Sequence, residues 1–397
     1  MNILKENTKS LCPVCLQEID AQVVEDNGKV YICKSCVQHG NFNFLLEKNV
    51  QVYKRLMNRS NLEQRRSFNN VMIAVTHRCN SDCPICYLPN KDTPDISLEN
   101  MKEAILNFDG PEIRLSGGEP TLREDLPQII EFVCKLGKRC SIITNGLRLA
   151  DRRYVKLLKK SGLKYVNFSF NGFNDQVYQR INGCSLLKIK LKALNNLKRE
   201  NMNIALSVML VKGVNENELQ KIYRYCLKNS HFVSRLRIRT VVDVGRGCEP
   251  GEQIYLSDMI TAMSKIIGVD EKELIEHSLS LPCKDHLPCG LNIHLARFLL
   301  KDSCVRKTKN LLFRKIKVIF HLLPKVGLRA FLNFSGGKIG TGLPLFNFQI
   351  LLRAWPDKYR IDLGEIERCP SSHLVSATGE VIPFCYGLIL NNTTLLL

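Results

Sequence analysis

Three cysteines, Cys79, Cys83 and Cys86, stand at CxxxCxxC spacing directly after the apolar run Val71-Met72-Ile73-Ala74-Val75. Three thiolates at this spacing can hold three irons of a cubane cluster, and the fourth iron is then open to a small molecule. A closed structural cluster needs a fourth cysteine close by, and the next in the chain is Cys134. A second set does look closed. Cys12-Pro13-Val14-Cys15 and Cys33-Lys34-Ser35-Cys36 flank a strand–turn–strand pattern with Asp26-Asn27-Gly28 at its turn. Two such pairs predict a tetrahedral Cys12/Cys15/Cys33/Cys36 site for zinc or iron, of the zinc-ribbon or rubredoxin kind. Its role is structural or electron-carrying, and His39 reads as a turn residue beyond it. A third set, Cys283, Cys289, Cys369 and Cys385, lies in segments marked by Pro282, Pro288 and Pro383, which read as rigid loops and not helix cores. These four are the expected ligands of an auxiliary [4Fe–4S] cluster, with Cys304 as a substitute. Cys134, Cys140, Cys184, Cys226 and Cys248 read as small packing residues.

The elements that must position these groups alternate regularly. Val71 to Thr76, Glu112 to Ser116, Arg139 to Thr144, Tyr165 to Phe170, Ile204 to Leu210 and Arg235 to Val241 have strand character. Helical periodicity lies between them, as from Glu124 to Leu136, Asp151 to Lys160, Leu186 to Leu197 and Glu216 to Asn229. Six β-α units in series predict an α/β fold with a parallel sheet and helices outside, a partial (β/α)6 barrel of the TIM type. Ligands in such barrels sit at the C-terminal strand ends. Gly117-Gly118-Glu119-Pro120 follows the second strand there, and Asn145-Gly146 the third. Three parts are expected: a metal knuckle over 8–45, the barrel over 68–265, and an extension over 266–397.

The 397 residues carry 57 Lys+Arg against 38 Asp+Glu, a formal charge of +19, and 17 cysteines. An apolar fraction of 45% supplies a core and argues against disorder. No run approaches the roughly 18 apolar residues of a spanning helix. The polar start Met1-Asn2-Ile3-Leu4-Lys5 lacks a signal peptide's apolar region, so a cytoplasmic location is expected. In a reducing compartment clustered cysteines are metal or redox groups, not a disulfide framework. Between Lys301 and Arg329 there are nine Lys or Arg and one acid, among apolar residues near helical spacing. A basic amphipathic helix of this kind suits an anionic membrane surface, which would place the protein peripherally at a membrane. An ordinary surface helix on the barrel mouth explains the segment equally well. Aromatic and basic residues are not interleaved as in a stacking platform, so no nucleic acid is expected.

The CxxxCxxC loop after strand one and Gly117-Gly118-Glu119-Pro120 after strand two resemble the two diagnostic motifs of radical S-adenosylmethionine (SAM) enzymes, over about residues 70 to 245. The resemblance implies a [4Fe–4S] cluster on Cys79, Cys83 and Cys86, with SAM on the open iron. It implies reductive cleavage of SAM to a 5′-deoxyadenosyl radical, which takes hydrogen from an unactivated carbon. It further implies that Glu119 accepts from the methionine ammonium, that Gly117, Gly118 and Pro120 shape the cofactor loop, and that Ile85 lies next to adenine. Thr144, Asn145, Ser169, Asn171 and Ser207 match polar strand-end positions for ribose or carboxylate, and Arg237 or Arg239 could pair with the carboxylate. A reductase, flavodoxin or ferredoxin is implied as electron donor.

The knuckle ahead of such a barrel, Asn171-Gly172-Phe173-Asn174-Asp175 and Val381-Ile382-Pro383-Phe384-Cys385 together are similar in layout to the tetraether lipid synthase group and folate-linked radical methylases. Related chains tend to have Asp where Asn171 stands, and the end after Cys385 is expected to be shortened or divergent. The main expectation is therefore lipid-chain coupling or modification. The alternatives are a radical methylase or maturase of a soluble pterin or peptide, and a non-catalytic iron–sulfur electron-transfer protein.

Overall fold

The computed structural model describes residues 1–60, 70–88, 91–246, 253–279, 289–295, 348–367, 369, 373–375 and 381–390. Cys283, Cys248, Cys304, the basic segment 301–329 and the end beyond 390 lie outside the described residues. Among the described residues no helix is long and apolar enough to cross a membrane.

The first sheet is an antiparallel meander of β1 (Asn2–Leu11), β2 (Glu18–Asp26), β3 (Lys29–Cys36) and β4 (Gly40–Glu47). Asn27 and Gly28 both have positive φ, +48° and +75°, as the mirror-image hairpin turn requires. Inward Val23, Val30 and Ile32 are fully buried, and Val23 and Val30 pack against Val50 and Tyr53 of the following helix, Val50–Ser60.

The second sheet runs through β5 (Val71–Thr76), β6 (Glu112–Gly117), β7 (Arg139–Thr144), β8 (Tyr165–Ser169), β9 (Asn203–Leu210) and β10 (Val233–Thr240), each parallel to the next. These are the six strands that the alternation predicts. The C-terminal region extends the sheet at both ends. β11 (Gly290–His294) and β12 (Gln349–Arg353) add beyond β10, while β13 (His373–Val375) and β14 (Val381–Pro383) add beyond β5. The helical segment predicted over 186–197 is the helix Leu187–Arg199. A separate helix, Asp175–Asn182, precedes it and ends on Gly183 at φ +78°.

One face of every barrel strand packs on helices. Ile73, Leu115, Ile142, Phe168, Leu206 and Ile238 share that core with Ile130, Leu158 and Leu194. By the two-residue period of strands, the intervening residues face the barrel interior. A second apolar cluster ties the parts together: Leu11 and Leu16 of the meander, Tyr87 beside Cys86, and Ile361, Phe384 and Cys385 of the C-terminal region. Polar contacts reinforce that junction. Lys5 donates to Asp362 at 2.9 and 2.8 Å, and buried Lys34 donates to Leu11 O and Lys358 O at 2.7 and 2.9 Å.

Candidate active site and metal centre

The Cys79–Cys86 loop leaves β5 at the end predicted for the site. The Gly117-Gly118-Glu119 segment docks on it through Gly118 N to Thr76 O and Glu119 N to Arg78 O, both 2.8 Å. A Cβ on Gly117 (φ +122°) would lie 2.1 Å from Thr76 O, and one on Gly118 2.4 Å from both His77 O and Arg78 O. The glycines are thus needed for contact between two backbones, a closer constraint than room for a ligand. Pro120 is buried and opens the short helical turn Pro120–Leu122.

Glu119 is completely buried. Its Oε1 accepts from Thr121 N (3.1 Å), Thr121 Oγ1 (2.6 Å) and Thr144 Oγ1 (2.7 Å), and its Oε2 accepts from Asn145 N (2.7 Å). Burial pushes this carboxyl up against the pull of those bonds. The Asn145 side chain donates to Asn80 Oδ1 at 2.8 Å, tying the end of β7 to the cysteine loop. On the other side Arg246, just beyond β10, reaches Asp82 at 2.8 Å and donates from its backbone to Cys86 O, also at 2.8 Å. Strands at opposite ends of the six-stranded series therefore meet over one loop, as barrel curvature demands.

The three thiols fit an iron–sulfur cluster by chemistry and placement. All are partly buried. Burial raises Cys79 and Cys86, and the neighbouring thiols raise both further. Asn182 Nδ2 donates to Cys83 Sγ at 3.2 Å, and hydrogen bonds to cluster sulfur tune its potential. Asn171 sets that amide's orientation: its Nδ2 donates to Asn182 Oδ1 (3.4 Å) while its own Oδ1 accepts from Met209 N (3.0 Å). The structure thus gives Asn171 internal partners at the position matched to ribose or carboxylate. Ser169 and Ser207 are register neighbours on β8 and β9 facing the interior, and Ile85 is half-buried within the cysteine loop.

Sequence reasoning missed Lys190. This fully buried lysine of the helix Leu187–Arg199 donates to Asn145 O (2.9 Å) and Ser169 O (2.8 Å), two of the predicted strand ends. Its ammonium lies 5.5 Å from the ring centres of both Phe168 and Tyr178. Burial lowers it to about 8, with Glu119 and Cys83 pulling the other way. The available signal was one of three alternating lysines, Lys188, Lys190 and Lys192, between Leu187 and Leu194, indistinguishable in sequence from a solvated face.

The knuckle differs from its prediction. Cys12, Cys15, Cys36 and His39 bring their ligand atoms within 4.8 Å of one another. Cys33 is not among them; its thiol faces Asn43 Oδ1 at 3.6 Å. Cys33 and Cys36 belong to one extended strand, where residues three apart point to opposite faces. Only Cys36 turns inward, and the turn after β3 supplies His39, whose Nδ1 lies 3.6 Å from Cys12 Sγ and 3.4 Å from Cys36 Sγ. Tetrahedral zinc with sulfur at about 2.3 Å and nitrogen at about 2.0 Å needs an edge of about 3.5 Å, so this Cys₃His set fits a closed zinc site. Purified Cys33→Ser protein should keep one zinc per chain by mass spectrometry, whereas His39→Ala should lose most of it. The reverse pattern would restore the four-cysteine assignment.

Of the third set, Cys289 and Cys369 lie near enough to Cys385 for their charge to act on its thiol. Burial raises Cys385 well above an ordinary thiol, and Cys289 and Cys369 add to that. Among the cysteines read as packing residues, Cys140 and Cys226 are buried, but Cys184 is exposed, two residues after Asn182.

Residues 73–226 match the family described as the Radical SAM superfamily, and residues 4–48 the HMPTM N-terminal zinc ribbon domain. The chain is 30% identical over 311 residues to a 7,8-dihydro-6-hydroxymethylpterin dimethyltransferase of Methanocaldococcus jannaschii, covering 70% of this chain and 57% of that one. It is 32% identical over 203 residues to an Fe-coproporphyrin III synthase of Methanosarcina barkeri, 49% of each chain. The chain thus spans about half the length of these relatives. Streptococcus suis SuiB bound to precursor peptide SuiA aligns over 87% of this chain and 65% of its own, at 13% identity and TM-score 0.49. A cluster on three cysteines and SAM are what this family implies, and the thiol triplet and the buried polar strand ends around Glu119 have the chemistry to hold them. On the sequence match and this geometry together, residues 73–226 form a radical SAM core.

Proposed function

We propose that this protein is a radical SAM methylase acting on a pterin-type heterocycle. One observation carries the reading: the pterin dimethyltransferase match covers 70% of the chain, and the ribbon at residues 4–48 belongs to the domain family that bears the same abbreviated name. Lipid-chain modification, the main expectation from sequence, rested on the layout resemblance and the basic segment; it has less support, because the relatives reported above are named for a pterin and a porphyrin.

In this reading Cys79, Cys83 and Cys86 hold a [4Fe–4S] cluster, which supplies one-electron reduction of the SAM sulfonium. The chain's own residues bind and shield. Glu119 and the Thr144–Asn145 strand end form the polar wall for the amino group, and Lys190 supplies the buried cation for the carboxylate. Ser169 and Ser207 line the interior nearby. Cys289, Cys369 and Cys385 are three ligands of an auxiliary cluster, the fourth donor coming from outside the described residues. A flavodoxin- or ferredoxin-type donor delivers electrons.

The test is anaerobic incubation of reduced, reconstituted protein with SAM and 6-hydroxymethyl-7,8-dihydropterin, followed by mass spectrometry. Pterin carrying one or two added methyl groups is expected. SAM cleavage stimulated by lipid extract and not by the pterin would replace this reading with the lipid one.

A further inference from the structure

The barrel interior is cationic to a degree that its acids do not match. On β10, Arg235, Arg237 and Arg239 alternate with buried Leu236 and Ile238, which pack on the helices. The three arginines therefore point inward as a row, spaced about 6.7 Å apart along the strand. Arg114 of β6 faces them across the barrel, near enough for its charge to oppose that of Arg237. The acid of this region, Glu112, is engaged by Arg114 at 2.8 Å and Arg139 at 3.8 Å. The Nε atoms of Arg237 and Arg239 are buried with no hydrogen-bond partner among the described residues. Both side chains still keep part of their surface open, as expected for groups lining an internal chamber.

An aromatic cluster adjoins the end of this row. The Arg239 guanidinium lies 5.0 Å from the Trp355 ring centre. Trp355 packs edge-on to Phe384 at 4.8 Å, and Phe384 edge-on to Tyr87 at 6.5 Å. Tyr87 follows Cys86 directly, so this aromatic cluster begins at the cysteine loop.

A buried row of like charges is costly, and removing its counter-charge leaves the full desolvation penalty. Such a row is stable only with an anion against it in the working state. Guanidinium forks match phosphate oxygens two at a time. Among the described residues Glu112 is the carboxylate that offsets Arg235 and Arg237, and it is shared with Arg114 and Arg139, so the row calls for about two further negative charges, more than one carboxylate carries. The SAM carboxylate is not needed to explain them, since Lys190 lies at the Glu119 end of the site on β7 and β8, away from β10. We propose that the chamber binds a phosphate group carried by the substrate, with Arg237 and Arg239 as its principal ligands and the half-buried rings of Trp355 and Tyr87 beside it. This deepens the function proposed above and rests on it only in treating the chamber as substrate space.

Inorganic pyrophosphate is the probe, titrated calorimetrically into reconstituted protein in chloride buffer of matched ionic strength. Saturable binding is expected, weakened at least about tenfold in Arg237→Gln and in Arg239→Gln, with Arg237→Lys between, because lysine keeps the charge and loses the fork. Iron content and near-UV circular dichroism report folding of each variant. Should the variants fail to fold, wild-type protein decides the matter: pyrophosphate must slow phenylglyoxal modification of Arg237 and Arg239, mapped by mass spectrometry. Displacement by a nucleoside triphosphate would assign a soluble phosphate ester, and displacement by dihexanoyl phosphatidic acid a lipid headgroup; both support the site. No saturable binding by wild type, equal binding by Arg237→Gln, or unprotected arginines would overturn it. Pterin methylation is scored separately, so pyrophosphate binding without methylation removes the methylase reading and leaves this site standing.

Discussion

Cys83→Ala should abolish reductive cleavage of SAM. Two thiolates cannot hold three irons, and Asn182 Nδ2 loses its sulfur acceptor at 3.2 Å. The loss of a single outer-sphere partner at a metal site costs roughly 10–100-fold, and here a ligand itself is removed, so activity should reach background. The measurement is 5′-deoxyadenosine released by dithionite-reduced, reconstituted protein. Cys184→Ser is the control: Cys184 is exposed and its thiol points to Asn182 O at 3.8 Å, so cleavage should persist. Retained cleavage in Cys83→Ala would overturn the cluster assignment.

Lys190→Met should separate binding from stability. The lysine is fully buried, with two backbone carbonyls as acceptors and, among the described residues, no carboxylate in hydrogen-bond contact. Its folded value, about 8, lies below the ordinary 10.5. Between those values the unfolded chain binds more protons than the folded one, so this group makes stability rise with pH from about 8 to 10.5 and imposes its full cost below about 8. A shift of this size corresponds to about 3 kcal/mol at neutral pH. Methionine removes that cost and forfeits two charge-assisted hydrogen bonds of about 1.5 kcal/mol each, so the two effects nearly cancel and the melting temperature should change little. The KM for SAM should increase on the order of 100-fold, as expected when a charge-assisted bond of about 2–3 kcal/mol is lost. In wild type that KM should climb as pH passes above about 8, where Lys190 loses its proton, and the climb should vanish in the variant. A fall in melting temperature with unchanged KM would show Lys190 to be structural only.

Both predictions join something plain in the sequence to something hidden in it. Cys83 was identifiable because a cluster loop is local: three thiols within eight residues need only one turn of chain to converge. Gly117 and Gly118 were identifiable as a motif, but the reason for them was not. Their missing Cβ atoms make room for Thr76 O, His77 O and Arg78 O, some forty residues earlier in the chain. Lys190 was invisible because its partners, Asn145 O and Ser169 O, are backbone atoms of two other strands. The arginines of β10 were noted in sequence as possible carboxylate partners or a solvated face. Only the curved sheet shows that their common face is the interior and that Arg114 confronts them.

The sequence by itself determined what depends on short range. The two-residue and 3.6-residue periods marked six β-α units, the cysteine spacing marked the cluster loop, and the turn Asp26-Asn27-Gly28 marked the first hairpin. Tertiary structure decided what depends on direction and on distant contact. It chose His39 over Cys33, because residues three apart on a strand face opposite ways. It set Cys289 and Cys369 within electrostatic reach of Cys385, and it placed one buried cation near Glu119. Spacing along a chain constrains which side chains can meet locally; which long-range neighbours do meet is set by the register and curvature of the sheet that carries them.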